Sequence, residues 1–181
     1  MKRFLIVLAL ALGGAMAQMD HSNMNMGTMK MGGLEKRSGK AFDRAFVSMM
    51  IPHHQEAISM AKAVLPKSKD AQVKKWAEAI VEDQQKEILE MQALLKTLGG
   101  PDSKMQQMMK KSMSGMGGMV KSAKDPDRAF VEGMIPHHAS AILMANIALE
   151  VSDNETVLKL ARDIVVAQAG EIYSFKIWLK N

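Results

Sequence analysis

The pentapeptide Met-Ile-Pro-His-His occurs twice in this 181-residue chain, at Met50–His54 and at Met134–His138, 84 residues apart. The match widens without a gap. Asp43-Arg44-Ala45-Phe46-Val47 repeats as Asp127-Arg128-Ala129-Phe130-Val131, and Ala57-Ile58 and Met60-Ala61 repeat as Ala141-Ile142 and Met144-Ala145. A chain duplicated in register has the same local preferences in both copies, so it should fold as two equivalent units. A duplicated core needs apolar residues at matching places. It does not need two adjacent imidazoles, yet four of the chain's five histidines lie in the two copies. The repeat therefore points to a paired metal site.

Each repeat carries two helical patterns. In the first, Phe46, Met50, Ala57, Ala61 and Val64 fall on one side of a 100°-per-residue wheel, and Pro66 ends it. In the second, the apolar side is Val73, Trp76, Ala77, Ile80, Met91, Leu94, Leu95 and Leu98. Val157, Leu160, Ala161, Ile164, Ile172, Phe175, Trp178 and Leu179 follow the same plan in the other half. Two amphipathic helices joined by a short turn make an αα-hairpin, and one hairpin cannot cover its own apolar face. The expected fold is all-α, a four-helix bundle built from two duplicated hairpins. Asp43 and Asp127 read as acids capping or opening the first helix of each hairpin.

The remaining segments frame this bundle. Lys2-Arg3, the apolar run Phe4–Leu12 and Ala15-Met16-Ala17 read as a cleavable signal peptide over 1–17. The expected location is therefore secreted or periplasmic. No later stretch is apolar enough to span a membrane. Residues 18–39 read as a flexible Met-rich tail, 40–98 as hairpin one, 99–124 as a flexible Met/Gly-rich linker that allows a short helix over 103–113 until Gly115, Gly117 and Gly118 break it, and 125–181 as hairpin two. Loss of Lys2 and Arg3 with the signal lowers the formal charge from +5 to +3. The basic residues are spread along helix faces, so nucleic acid is not an expected partner. Cysteine is absent, which removes both disulfide staples and thiolate ligands.

The chemistry should lie where the histidines meet the second helices. Met50 and His54 are an i,i+4 pair that can reach a common ion, and Met134 and His138 repeat it. His53 and His137 stand next to them on the same broad face. Gln84 and Glu87 fall within the apolar arc of the second helix, as do Gln168 and Glu171. A carboxylate is rarely buried without a partner. One reading is a buried Glu–His network that fixes helix register. The other is a metal site made by His53, His54, His137, His138, Glu87, Glu171, Met50 and Met134. No Ser or Cys occupies a nucleophile setting, and no phosphate-binding loop precedes a helix.

Methionine bears on which metal. There are 19, with Met19, Met24, Met26, Met29, Met31 and also His21 in the tail, and Met105, Met108, Met109, Met113, Met116 and Met119 in the linker. Thioethers favour Cu(I) and Ag(I) over harder ions, and imidazole suits copper in either state. His21, Met24, Met26, Met29, Met105, Met108 and Met109 are candidate soft ligands. Low-complexity spacer or an oxidant sink is the plain alternative.

Met-Ile-Pro-His-His followed by Ala-Ile-x-Met-Ala resembles the domain of unknown function 305 family, once per half across residues 40–181. The second-helix Gln-x-x-Glu-Ile of that family stands at Gln84–Ile88 and Gln168–Ile172. The resemblance implies an exported helical protein with a ferritin-like bundle, and some Met-rich members are linked to copper and silver tolerance. Neither copy has the Glu-x-x-His of di-iron ferritins, so the analogy extends to fold and not to ferroxidase chemistry. The expected function is a copper-binding protein acting as a Cu(I)/Ag(I) buffer, chaperone or resistance factor, with a copper-transport or oxidase protein as partner. A metal-dependent oxidase and a structural helical module remain as alternatives. Enzymatic activity is left open, and no catalytic residue is assigned.

Overall fold

The structure is a computed structural model that describes residues 32–181. The segment read as a signal peptide and most of the tail, with His21, Met24, Met26 and Met29, lie outside the described residues. A 3-10 turn at Leu34–Lys36 leads into α1 (Gly39–Val64). Then follow α2 (Ala71–Thr97), α3 (Ser103–Met113), α4 (Met116–Ser122), α5 (Pro126–Val151) and α6 (Glu155–Trp178). Among the described residues there is no strand.

The fold is an all-α bundle in which α1 and α2 form one hairpin and α5 and α6 the other. Equivalent caps start the two second helices. The Asp70 side chain accepts from the amides of Gln72 and Val73, and Asn154, 84 residues later, accepts from Thr156 and Val157. Helices α1 and α5 pack against each other at the centre. They run antiparallel, because Asp43 near the start of α1 meets Ser152 just past the end of α5. The apolar residues expected on the first helix of repeat one, from Phe46 to Val64, are all buried.

The two aspartates divide. Asp127 is the acid in the first turn of α5, as expected, with Asp125 as the cap, whereas α1 begins at Gly39 and Asp43 lies a full turn inside it. Each aspartate also reaches the turn of the opposite hairpin. Asp43 Oδ1 accepts from the Ser152 hydroxyl at 2.6 Å, and Asp127 Oδ2 accepts from the Lys69 amide at 3.1 Å. The two halves clasp each other through reciprocal contacts, as a pseudo-two-fold axis requires.

The segment expected to be a flexible linker is ordered. The short helix over 103–113 is present as α3, but the chain past Gly115 forms α4 as well, and both pack on α1. Met105, Met109, Met113 and Met116 are buried in that contact, each worth about 1.5–3 kcal/mol of apolar burial. Polar contacts fix the chain entering α3. Arg44 donates to the carbonyls of Gly100 and Pro101 at 2.7 and 2.8 Å, Arg37 pairs with Asp102 at 2.8 Å, and the Asp102 amide donates to Ser48 Oγ at 2.8 Å. This cover explains why α1 is buried on nearly every side, including Met49, Ile51 and Pro52, which a bare four-helix bundle would leave wet. Gly99 and Gly100, at φ 92° and 87°, make the left-handed turn that ends α2. Gly117 allows α4 to touch α1: an added Cβ would lie 3.1 Å from the backbone carbon of Ser59 and closer still to its hydroxyl.

Candidate metal centre

Where α1 crosses α5, the two Met-Ile-Pro-His-His segments meet. Helices α1 and α5 continue through Pro52 and Pro136, so both histidines of each copy remain on helical backbone. His53, His54 and His138 are fully buried and His137 is 1 % exposed. The rings follow one another across the core. The His53 and His137 centroids are 3.8 Å apart, His53 and His54 are 6.2 Å apart, and His137 and His138 are 5.9 Å apart. Met50 and Met134, one turn earlier on the same helices, are fully buried as well.

The hydrogen bonds assign protons at the centre. The Ser140 hydroxyl donates to the His137 carbonyl at 2.7 Å. Its oxygen therefore accepts from His53 Nε2, also at 2.7 Å. His137 Nε2 lies 3.1 Å from the His53 carbonyl, which only accepts, so this nitrogen also carries its proton. Burial holds both imidazoles well below the usual histidine range, with the charge of neighbouring histidines acting in the same direction. Both rings are thus neutral at pH 7, and Nδ1 of each is a bare lone pair.

The outer histidines turn toward the second helices. His54 Nε2 donates to Glu87 Oε2 at 2.6 Å. His138 Nε2 lies equally close to Glu171 Oε2, but this nitrogen makes no hydrogen bond, because the approach is out of line with the ring N–H. The two halves therefore match in residues and differ in detail.

Unpaired atoms concentrate here. The buried side-chain atoms without a partner include Nδ1 of all four histidines, His138 Nε2, and Oε1 of Gln84 and Gln168. Each buried donor or acceptor left unmade costs about 1–3 kcal/mol, and native cores rarely gather so many in one layer. The chemistry of these donors fits a metal: imidazole nitrogens without a partner are metal ligands, and the neutral rings of His53 and His137 can ligate without losing a proton. Among the described residues, no three His, Asp or Glu side chains already stand at metal-holding spacing. A soft ion would be held by the imidazoles after side-chain adjustment.

Gln84, Glu87, Gln168 and Glu171 line a cleft of about 210 Å³ between α2 and α6. The second helices meet at the other end of the bundle, where Trp76 packs edge-on against Phe175 and Trp178 Nε1 donates to Asp70 at 3.0 Å. Partial burial and then the negative charges of Glu171, Glu82 and Glu87 raise the carboxyl of Asp83 at the mouth.

The methionines divide. Met105 and Met109 are core residues facing α1, and the partly buried Met108 ends beside Gly32, where the described chain starts. Sequence reasoning did not find Ser140, which links His53 to His137. The available signal was a break in the repeat: Ser140 stands where the first copy has Glu56, three residues after its second imidazole pair begins.

The description "Domain of unknown function (DUF305)" matches this chain over residues 10–95 and 49–179. Among solved structures, CopM in its Cu(II)-bound form is 34% identical, covers 77% of this chain and 96% of its own, and superposes with a TM-score of 0.68. CopM in the Cu(I)-bound form gives 33%, the same coverage and 0.65. A DUF305 fragment from Deinococcus radiodurans is 28% identical over 76% of this chain and 95% of its own, with a TM-score of 0.66. Repeated halves, bundle and motif all agree with these matches, and the chain belongs to the DUF305 family.

Proposed function

We propose that this protein is an exported copper-binding protein that buffers or delivers Cu(I), or confers tolerance to it, and by softness also binds Ag(I). The observation that carries the reading is the layer of four buried imidazoles whose Nδ1 atoms have no partner. Cu(I) takes neutral imidazole and thioether together, and Met50 and Met134 lie one turn from these rings in the same dry core. CopM, which shares the fold, has been captured with Cu(II), Cu(I) and silver, which supports metal binding as the role of this bundle. In this reading His21, Met24, Met26 and Met29 of the exported tail capture the ion. Met108, at the surface of α3, and the neighbouring Met105 extend that path, and Met109 serves the core. The bundle then holds the ion or passes it to a copper-transport or oxidase protein.

Equilibrium dialysis with Cu(I) under reductant tests the proposal. Binding should drop sharply when His53, His54, His137 and His138 become Ala, with circular dichroism checking that the helices persist. Binding no stronger than in a variant lacking both these histidines and the methionines would overturn it. The hydrogen bond from His54 to Glu87 favours a purely structural layer as the second reading. That reading requires a melting temperature unchanged by copper or by chelator.

A further inference from the structure

Two buried glutamines, one from each half, line the α2–α6 cleft with an unpartnered side-chain oxygen. Gln84 is 4 % exposed and Gln168 3 %, both line the cleft, and Oε1 of each lacks a partner. They are equivalent positions in the repeat, so the same unpaired amide is set twice. One helical turn away, each half adds a carboxylate to the same cleft, Glu87 and Glu171, with 22 % and 28 % of the side chain exposed. One oxygen of each lies 2.6 Å from an imidazole nitrogen, as a hydrogen bond for Glu87 and a close contact for Glu171, and among the described residues the other oxygen has no hydrogen bond. An imidazole behind a ligating carboxylate is the arrangement that orients such ligands toward an ion. Of the two lysines that line the cleft, Lys159 is held by Asp163 at 2.8 Å, and Lys86 is offset by the further carboxylates of Asp83 and Glu90 in the same lining.

We propose that Gln84, Glu87, Gln168 and Glu171 form an oxygen-donor site for a divalent cation in the α2–α6 cleft. All four donors are hard oxygens, two of them charged, so the preferred ion is a dication that keeps part of its water. Soft Cu(I) is disfavoured there. The cleft is wide enough for a hydrated ion, at about 210 Å³. Glu87 and Glu171 also stand in the ligand set read from the sequence, but the copper proposal rests on imidazole and thioether donors and on a softer ion, so the two readings fail separately.

Mn(II) is the probe, read by loss of the free-ion electron paramagnetic resonance signal in metal-free full-length protein at physiological salt. One Mn(II) per chain is expected. Gln84→Leu with Gln168→Leu should weaken it at least tenfold while leaving Cu(I) dialysis unchanged. The same double variant should melt higher than the parent in the absence of metal, since it removes two unpaired oxygens at nearly constant volume. If that variant fails to fold, Glu171→Gln, at the partly exposed mouth, should weaken Mn(II) several-fold. Absence of Mn(II) binding, or binding that ignores these substitutions and vanishes with salt, would overturn the site and mark the cleft as a diffuse negative surface.

Discussion

Asp43 in α1 accepts a 2.6 Å hydrogen bond from Ser152, in the turn between α5 and α6. The contact is buried and joins the first hairpin to the second. Its counterpart from Asp127 to the Lys69 amide is exposed. Hydrogen bonds to charged groups are worth about 1.5–3 kcal/mol, and most when water cannot replace them. Asp43→Ala should therefore destabilise by about 2–3 kcal/mol and Asp127→Ala by less than about 1 kcal/mol. Urea unfolding of the two variants checks the order, and equal losses would mean that the clasp is not stronger on its buried side.

The histidine pair at the crossing makes stability depend on acid. In metal-free protein, His53 and His137 stay neutral when folded, because burial lowers both. Once unfolded they take up protons below about pH 6.5. The unfolded state then binds more protons than the native state, so stability falls as pH drops through that value and is complete above it. The slope is up to about 1.4 kcal/mol per pH unit for each ring. Urea midpoints measured from about pH 7.5 down to about pH 5 should decline, and His53→Gln with His137→Gln should flatten the decline. A midpoint constant over that range in the parent would contradict neutral, buried rings.

Gly117 separates close packing from mere flexibility. Gly117→Ala pushes a methyl group against Ser59, whose backbone cannot yield as a side-chain end can. Overpacking of this kind costs about 1–3 kcal/mol. Gly118 has open space at the same test position, so Gly118→Ala should be neutral or gain up to about 1 kcal/mol from helix propensity. Thermal melts of the pair measure the difference. Two neutral substitutions would mean that α4 does not sit on α1.

Those two glycines also mark what the sequence could and could not disclose. The 3.6-residue period located both hairpins, because an apolar stripe has few other uses. The same rule put Gln84, Glu87, Gln168 and Glu171 on the inner arc, where the structure has them lining the cleft. Residues 99–124 misled because glycine and serine depress helix propensity, and propensity was the only local signal available. Burial of Met105, Met109, Met113 and Met116 on α1 overrides it, and Gly117 is present for contact and not for looseness. Asp43 misled for a related reason: a cap is a local inference, whereas its partner Ser152 is 109 residues away. Ser140 was hidden because a serine inside a helix carries no chemical signature until the His53 ring is seen beside it.

Met50 and Met134 allow fold and metal binding to be tested apart. Both are fully buried, so their thioethers serve as core whatever else they do. Met-to-Leu substitution nearly conserves volume and usually costs under about 1.5 kcal/mol per site. Leucine keeps the packing and removes the sulfur. Met50→Leu with Met134→Leu should then keep a cooperative melt within a few degrees of the parent. Under the proposed Cu(I) site it should weaken Cu(I) by about tenfold or more, the scale on which even residues supporting metal ligands act. Competition against a colorimetric Cu(I) chelator gives the affinity, and the melt gives the fold. An unchanged affinity with an unchanged melt would remove both thioethers from the ligand set and leave the imidazoles to hold the ion without them.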